Sequence, residues 1–109
     1  MDSFAATRSR VQGLEGRINA DPERFRVLTG ERPTGLLHLG HYFGTIRERV
    51  RLQTLGVETF VILADYQVII DRDTAANVAV NVREAVLDYL AAGLDPARTT
   101  VFTHSAVPA

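Results

Sequence analysis

Three short apolar runs, separated by two longer stretches with helical periodicity, organise most of the chain. Phe25, Val27 and Leu28 form the first run, which ends at Thr29-Gly30 and predicts a strand. The segment GERPTG, Gly30 to Gly35, then predicts a tight turn, since it packs two glycines and a proline into six positions. From Leu36 apolar residues recur at helical spacing through Leu52, so a helix follows the turn. Thr59 to Ala64, TFVILA, is β-branched and continuously apolar, the pattern of a second strand covered on both faces, and it stops at Asp65. Asp71 to Thr74 offers helix-capping residues. Ala75 to Ala92 repeats apolar positions at helical spacing until Gly93, with Asp95-Pro96 confirming the stop. Thr99 to Phe102 is the third strand, and the loop HSAVPA follows.

Strand, helix, strand, helix, strand at these lengths predicts an α/β fold. Three parallel strands joined by right-handed crossovers make the first half of a Rossmann-type doubly wound sheet, over residues 23–109. Residues 1–22 stand before it as a short helical extension. Val11, Leu14 and Ile18 are spaced for a helix, but Gly13 and Gly16 weaken it. Such an extension could dock a partner or gate a substrate; helical spacing alone identifies neither, so it is read as a frayed leader.

Composition narrows the chemistry. At 109 residues the chain suits one small domain with a real core. An apolar fraction of 46% beside 23% charged residues is ordinary for a globular chain. No stretch approaches the roughly 20 apolar residues of a membrane span, so a cytoplasmic location is the expectation. With no cysteine and three scattered histidines, no protein-built metal site is expected. All 12 basic residues are arginine, so no lysine is available to clamp a phosphate.

The chemistry concentrates in Thr29 to Tyr42, TGERPTGLLHLGHY, where the first strand hands over to the first crossover helix. In an open parallel sheet ligands bind at this carboxyl edge, and a helix amino terminus presents free N–H groups to phosphate. His38 and His41, three apart, predict two rings on one helix face, with Gly40 leaving the backbone bare to a base or ribose. Two imidazoles there could donate to phosphoryl oxygens and stabilise charge that grows during attack on an α-phosphate. Asp65 could orient nearby side chains or bond backbone amides. No acid or base is identifiable beside His104 and Ser105, which reads as an ordinary loop.

H-L-G-H resembles the HIGH signature of class I aminoacyl-tRNA synthetases, and T-G-E-R-P-T-G resembles the G-x-[QR]-P-[ST]-G turn of their tryptophanyl branch. ILADYQ at Ile62–Gln67, LDYLAAGLDP at Leu87–Pro96 and HSAVP at His104–Pro108 follow in the family's order. The resemblance implies that Arg32, Pro33 and Thr34 contact ATP from the turn, that Gly40 and His41 do so from the helix, and that His38 completes the phosphate face. It places Leu28 and Gln67 toward the amino-acid pocket. The family often has Gln where this chain has Arg32, and His where it has Gln67. It further implies tryptophan, ATP with Mg²⁺ and tRNA as substrates, and a homodimer. A second Rossmann half with a KMSKS-type loop and a helical anticodon-reading domain are absent, so the chain is expected to represent roughly one third of such a protein. A tyrosyl enzyme and a small adenylyltransferase share the H-x-G-H chemistry. A non-catalytic nucleotide-binding fragment is the third reading, and its unpaired sheet edge would favour dimerisation or aggregation.

Overall fold

The computed structural model describes residues 2–69 and 77–107. The capping residues Asp71 to Thr74, the first part of the second predicted helix and Pro108 lie outside the described residues. The chain runs through β1 (Arg26–Glu31), β2 (Glu58–Leu63) and β3 (Thr99–Thr103), which form one parallel sheet in that order. Val61 stands opposite Thr29 on one side and Val101 on the other. The first crossover comprises α3 (Leu39–His41), a π-helical turn (Tyr42–Ile46) and α4 (Arg47–Leu55). A short α5 (Asp65–Ile69) follows β2, and α6 (Val78–Ala92) leads to β3. The three strands thus fall where the periodicity placed them, with a helical connection after β1 and another before β3, and the parallel α/β sheet is present.

Gly56 and Gly93 end α4 and α6 in the left-handed region, at φ 105° and 112°, where a residue with a Cβ would be strained. The core lies on one face of the sheet. Val61 and Leu63 pack there with Ile46, Ala85, Tyr89 and Leu94, while Val50, Val82, Val86 and Val101 close the margin. Right-handed crossovers that step the same way along a sheet put their helices on the same side, which explains this layering.

The other face departs from expectation. The apolar run of β2 predicted cover on both faces, yet Phe60 and Ile62 are only half-buried, and their β1 neighbour Leu28 is 64% exposed. The sequence pattern is that of a two-sided strand, but the two crossovers supply helices for one side only.

Before β1 the leader forms two helices, α1 (Ser3–Val11) and α2 (Leu14–Ala20), neither of which buries a residue. Asp2 caps α1 by accepting from the Ala5 N–H. Glu15 of α2 reaches Arg51 of α4 at 2.8 Å, an exposed pair of small energetic value. Among the described residues no helix is long and apolar enough to cross a membrane.

Gln53 joins the crossovers to β3. Its amide donates to the Gly93 carbonyl at 3.2 Å, and its oxygen accepts from the Asp95 N–H at 2.7 Å and the Thr99 hydroxyl at 2.5 Å. The side chain is buried, so its removal leaves the buried Thr99 hydroxyl, the Gly93 carbonyl and the Asp95 N–H without these partners. Gln53→Leu, which keeps the volume, is expected to lower unfolding free energy by roughly 2 kcal/mol or more in urea titration; a loss below about 0.5 kcal/mol would show that these bonds contribute nothing net.

Candidate functional site

Glu31 ends β1, and the segment 32–38 crosses the carboxyl edge of the sheet without regular structure. Neither Gly30 nor Gly35 adopts a positive φ, so the turn does not need glycine for its backbone conformation. Gly30 is instead a matter of space: a Cβ there would sit 2.9 Å from Ile62 Cγ2 and 3.3 Å from the Ile62 carbonyl oxygen. Pro33 is buried, whereas Arg32 and Thr34 on either side are exposed, and the Thr34 N–H closes a tight turn onto the Arg32 carbonyl at 2.9 Å. A buried proline between two exposed side chains fixes both of them outward.

The helix begins at Leu39 rather than Leu36. Leu36 and Leu39 are 77% and 73% exposed, so their helical spacing did not mark a buried face. His38 is not a helical residue; it is the N-cap, extended at φ −128° and ψ 177°. Its Nδ1 accepts from the Gly40 N–H at 3.0 Å, and His41 Nδ1 accepts from the His38 N–H at 3.2 Å. The two imidazoles form a reciprocal capping box in which rings replace the usual hydroxyl and carboxylate. Their centroids lie 4.0 Å apart.

In the neutral form this geometry leaves each ring's proton on one nitrogen. A neutral imidazole that accepts at Nδ1 carries its hydrogen on Nε2, across the ring from the bonded nitrogen. Each histidine therefore keeps one N–H donor directed away from the backbone it caps. Gly40 acquires a reason that the sequence did not supply: a Cβ there would lie 2.7 Å from His38 Cε1 and 2.9 Å from its Nδ1.

A second recess lies at the strand ends. It is lined by Gly30, Glu31 and Arg32 from the end of β1 and the turn, by Ile62 and Ala64 from β2, and by Gln67 and His104. Arg32 and Gln67 are thus brought together, while Leu28, two residues earlier on the open sheet face, does not line this recess. Asp65 frames the recess by accepting from the Tyr66 N–H at 3.1 Å, the Ser105 N–H at 3.0 Å and the Ser105 hydroxyl. The sequence shows no acid beside Ser105, because Asp65 arrives from 40 positions away. His104 rests against Tyr66, with ring centroids 4.9 Å apart. These contacts make the pair a clamp between the ends of β2 and β3. Burial pushes the Asp65 carboxyl up, but the Ser105 hydroxyl, the Ser105 N–H and the Tyr66 N–H together hold it below the ordinary value.

The polar centre that sequence reasoning missed is Glu31. Its carboxylate accepts from Arg49 Nη1 at 3.1 Å, from the Thr45 hydroxyl at 3.1 Å and from the Tyr89 hydroxyl. Arg49 and Tyr89 are 2% and 1% exposed. Burial first, then the bond to Glu31 and its charge, raise the Tyr89 hydroxyl above the usual phenol range, with Arg49 opposing in part, so Tyr89 stays a donor. A signal existed: Ile46, Arg49, Val50 and Gln53 share the buried helix face, and two of the four are polar. Among the described residues no group of three histidine, cysteine or acidic side chains could hold a metal ion.

Residues 20–109 match the family model described as tRNA synthetases class I (W and Y). The chain belongs to that family. A tryptophan–tRNA ligase of Treponema pallidum is 50% identical over 86 residues, covering 76% of this chain and 25% of that protein. The crystal structure of tryptophanyl-tRNA synthetase from Campylobacter jejuni complexed with ADP and tryptophan matches with a TM-score of 0.67 and 32% identity, over 76% of this chain and 26% of the other. A tyrosyl-tRNA synthetase from Archaeoglobus fulgidus, complexed with L-tyrosine, matches with a TM-score of 0.69 and 28% identity, over 84% and 29%. The matched stretch spans about a quarter of the length of the curated relatives.

Two outcomes test this geometry. Gly40→Ala must displace the His38 ring from its cap, which is expected to cost about 1 kcal/mol in denaturant unfolding and to shift the His38 ring resonances; unchanged ring shifts would sink the capping account. A carboxyl held low contributes stability above the ordinary carboxyl range and loses it as pH falls through the lowered folded value. Ser105→Ala removes one of the bonds that lower Asp65, so its carboxyl carbon should titrate at higher pH and acid unfolding should begin at higher pH than in the parent.

Proposed function

We propose that this chain is the ATP-binding amino-terminal part of a tryptophan–tRNA ligase. The observation that carries the reading is the pair of imidazoles at the start of the first crossover, each with Nδ1 held by a backbone N–H and Nε2–H left to donate. In the reaction, the tryptophan carboxylate attacks the α-phosphate of ATP and pyrophosphate leaves; the adenylate then acylates the terminal ribose of tRNA. Negative charge grows on the α-phosphoryl oxygens during attack. Donors fixed beforehand, as His38 and His41 are, stabilise that charge without reorganising.

Around this pair the roles divide by position. Gly40 lets a nucleotide approach the backbone, while Arg32, Pro33 and Thr34 present the turn to ATP. An arginine in place of glutamine offers a planar charged donor to phosphate. Gln67, beside Arg32 in the recess, faces the amino acid; Leu28, two residues before Gly30 and outside that recess, stays assigned to the pocket by resemblance alone. Mg²⁺ would arrive on the nucleotide, its ligands mainly phosphate oxygens, since the described residues offer no cluster of their own. The remaining parts of the reading are a second half bearing the pyrophosphate-binding loop, a tRNA-reading domain, a homodimer and a cytoplasmic location.

The decisive measurement is ATP–pyrophosphate exchange by the full-length gene product. Exchange that depends on tryptophan and falls roughly a hundred-fold or more in His41→Ala is expected. Dependence on tyrosine instead would overturn the specificity, which matters because the matched family covers both amino acids. No loss in His41→Ala would remove the imidazole pair from the mechanism.

A further inference from the structure

The geometry points to Glu31, Thr45 and Arg49 as positioning residues that hold the ATP turn in register with the histidine pair. The inference rests on the reading of the turn and the histidines given under Proposed function. Glu31 immediately precedes Arg32, so its carboxylate is the last anchored group before the turn leaves the sheet. Thr45 lies one helical turn after His41, and its hydroxyl stands 3.1 Å from two acceptors, Glu31 Oε1 and the His41 carbonyl oxygen. One hydroxyl thus touches both pieces of the site. Bonding to the carbonyl four residues back is common for a helical threonine; the second acceptor, from the strand, is what couples the two.

Arg49 stands four residues further along the crossover and donates to the same Glu31 oxygen. Tyr89 secures the other oxygen from α6. The carboxylate cannot shift toward one helix without losing a donor on the other. Stability alone does not account for this arrangement. A buried ion pair is often no better for stability than apolar residues of similar volume, and Arg49 Nε is buried without a partner, a further cost. What apolar residues could not supply is a single fixed distance between the end of β1 and the start of the crossover. The segment that carries Thr45, Tyr42–Ile46, is π-helical, and such turns re-phase a helix locally, often at functional sites.

The test uses pyrophosphate exchange by the full-length protein at saturating ATP over a range of amino-acid concentrations. Thr45 is exposed, so Thr45→Val should keep the fold while deleting the shared hydroxyl. Misplacing reacting groups by a fraction of an ångström is costly, and kcat is expected to drop roughly ten-fold or more while KM for the amino acid stays put. Thr45→Ser, which restores the hydroxyl, should recover kcat to within about three-fold of wild type. Glu31→Asp keeps a charge near Arg49 but shortens the reach, and should reproduce the kcat loss. A folded Thr45→Val with kcat within about three-fold of wild type overturns the inference; should that variant not fold, the same result in Glu31→Asp does so. Wild-type protein that exchanges with no amino acid would instead remove the functional reading, and this inference with it.

Discussion

A half-buried carboxylate at the end of the first strand is the constraint on which the arrangement of this domain depends. Glu31 receives donors from both crossovers, through Thr45 and Arg49 on one and Tyr89 on the other. Two such helices packed on a sheet by apolar contact alone can slide with little penalty, because dispersion and burial are non-directional. Hydrogen bonds to a fixed oxygen are directional and add registry. Removing Arg49 or Tyr89 would leave the half-buried carboxylate short of a donor, which ties the two crossovers to the same strand end.

The one-sided core follows from the same topology. Both crossovers lie over Val61, Leu63 and Val101, and the polar centre sits at the carboxyl end of that layer. The opposite face carries Leu28, Phe60 and Ile62 with incomplete cover. In a doubly wound sheet the helices of the second half cover that face and its strands extend the edge. The recess at the strand ends takes Gly30 and Ile62 from this less covered face, whereas the Glu31 centre lies with the crossover helices.

How much of this was legible in the sequence depends on the range of the interaction. The strands could be read within a residue or two, since β-branched runs bounded by glycine, aspartate and proline declare themselves locally. Gly56 and Gly93 likewise stop their helices by a backbone conformation that only glycine adopts freely. The His38–His41 pair was visible because its partners lie within four positions. The start of the first crossover was misjudged by three residues: Leu36 and Leu39 fit a helical period, yet they face solvent. Glu31, Arg49 and Tyr89 were missed because their meaning lies in bonds that span 18 and 58 positions. Two polar residues at core phase on one helix, Arg49 and Gln53, were the only trace of it. The Asp65–Ser105 clamp was hidden for the same reason, its partners lying 40 positions apart.

The contrast between the two kinds of contact bears on how the site is assembled. Each imidazole is oriented by a backbone N–H of its own capping box, so ring direction and tautomer are set by a segment only four residues long. That local order fixes two donors relative to each other, but says nothing of where they stand relative to the turn that would hold the nucleotide. The turn is tied to the sheet through Glu31, and the long-range bonds to Thr45, Arg49 and Tyr89 connect the two frames. A four-letter signature can therefore specify the donors, whereas their alignment with a bound phosphate has to be written elsewhere in the chain, at positions whose residues look misplaced until the fold brings them together.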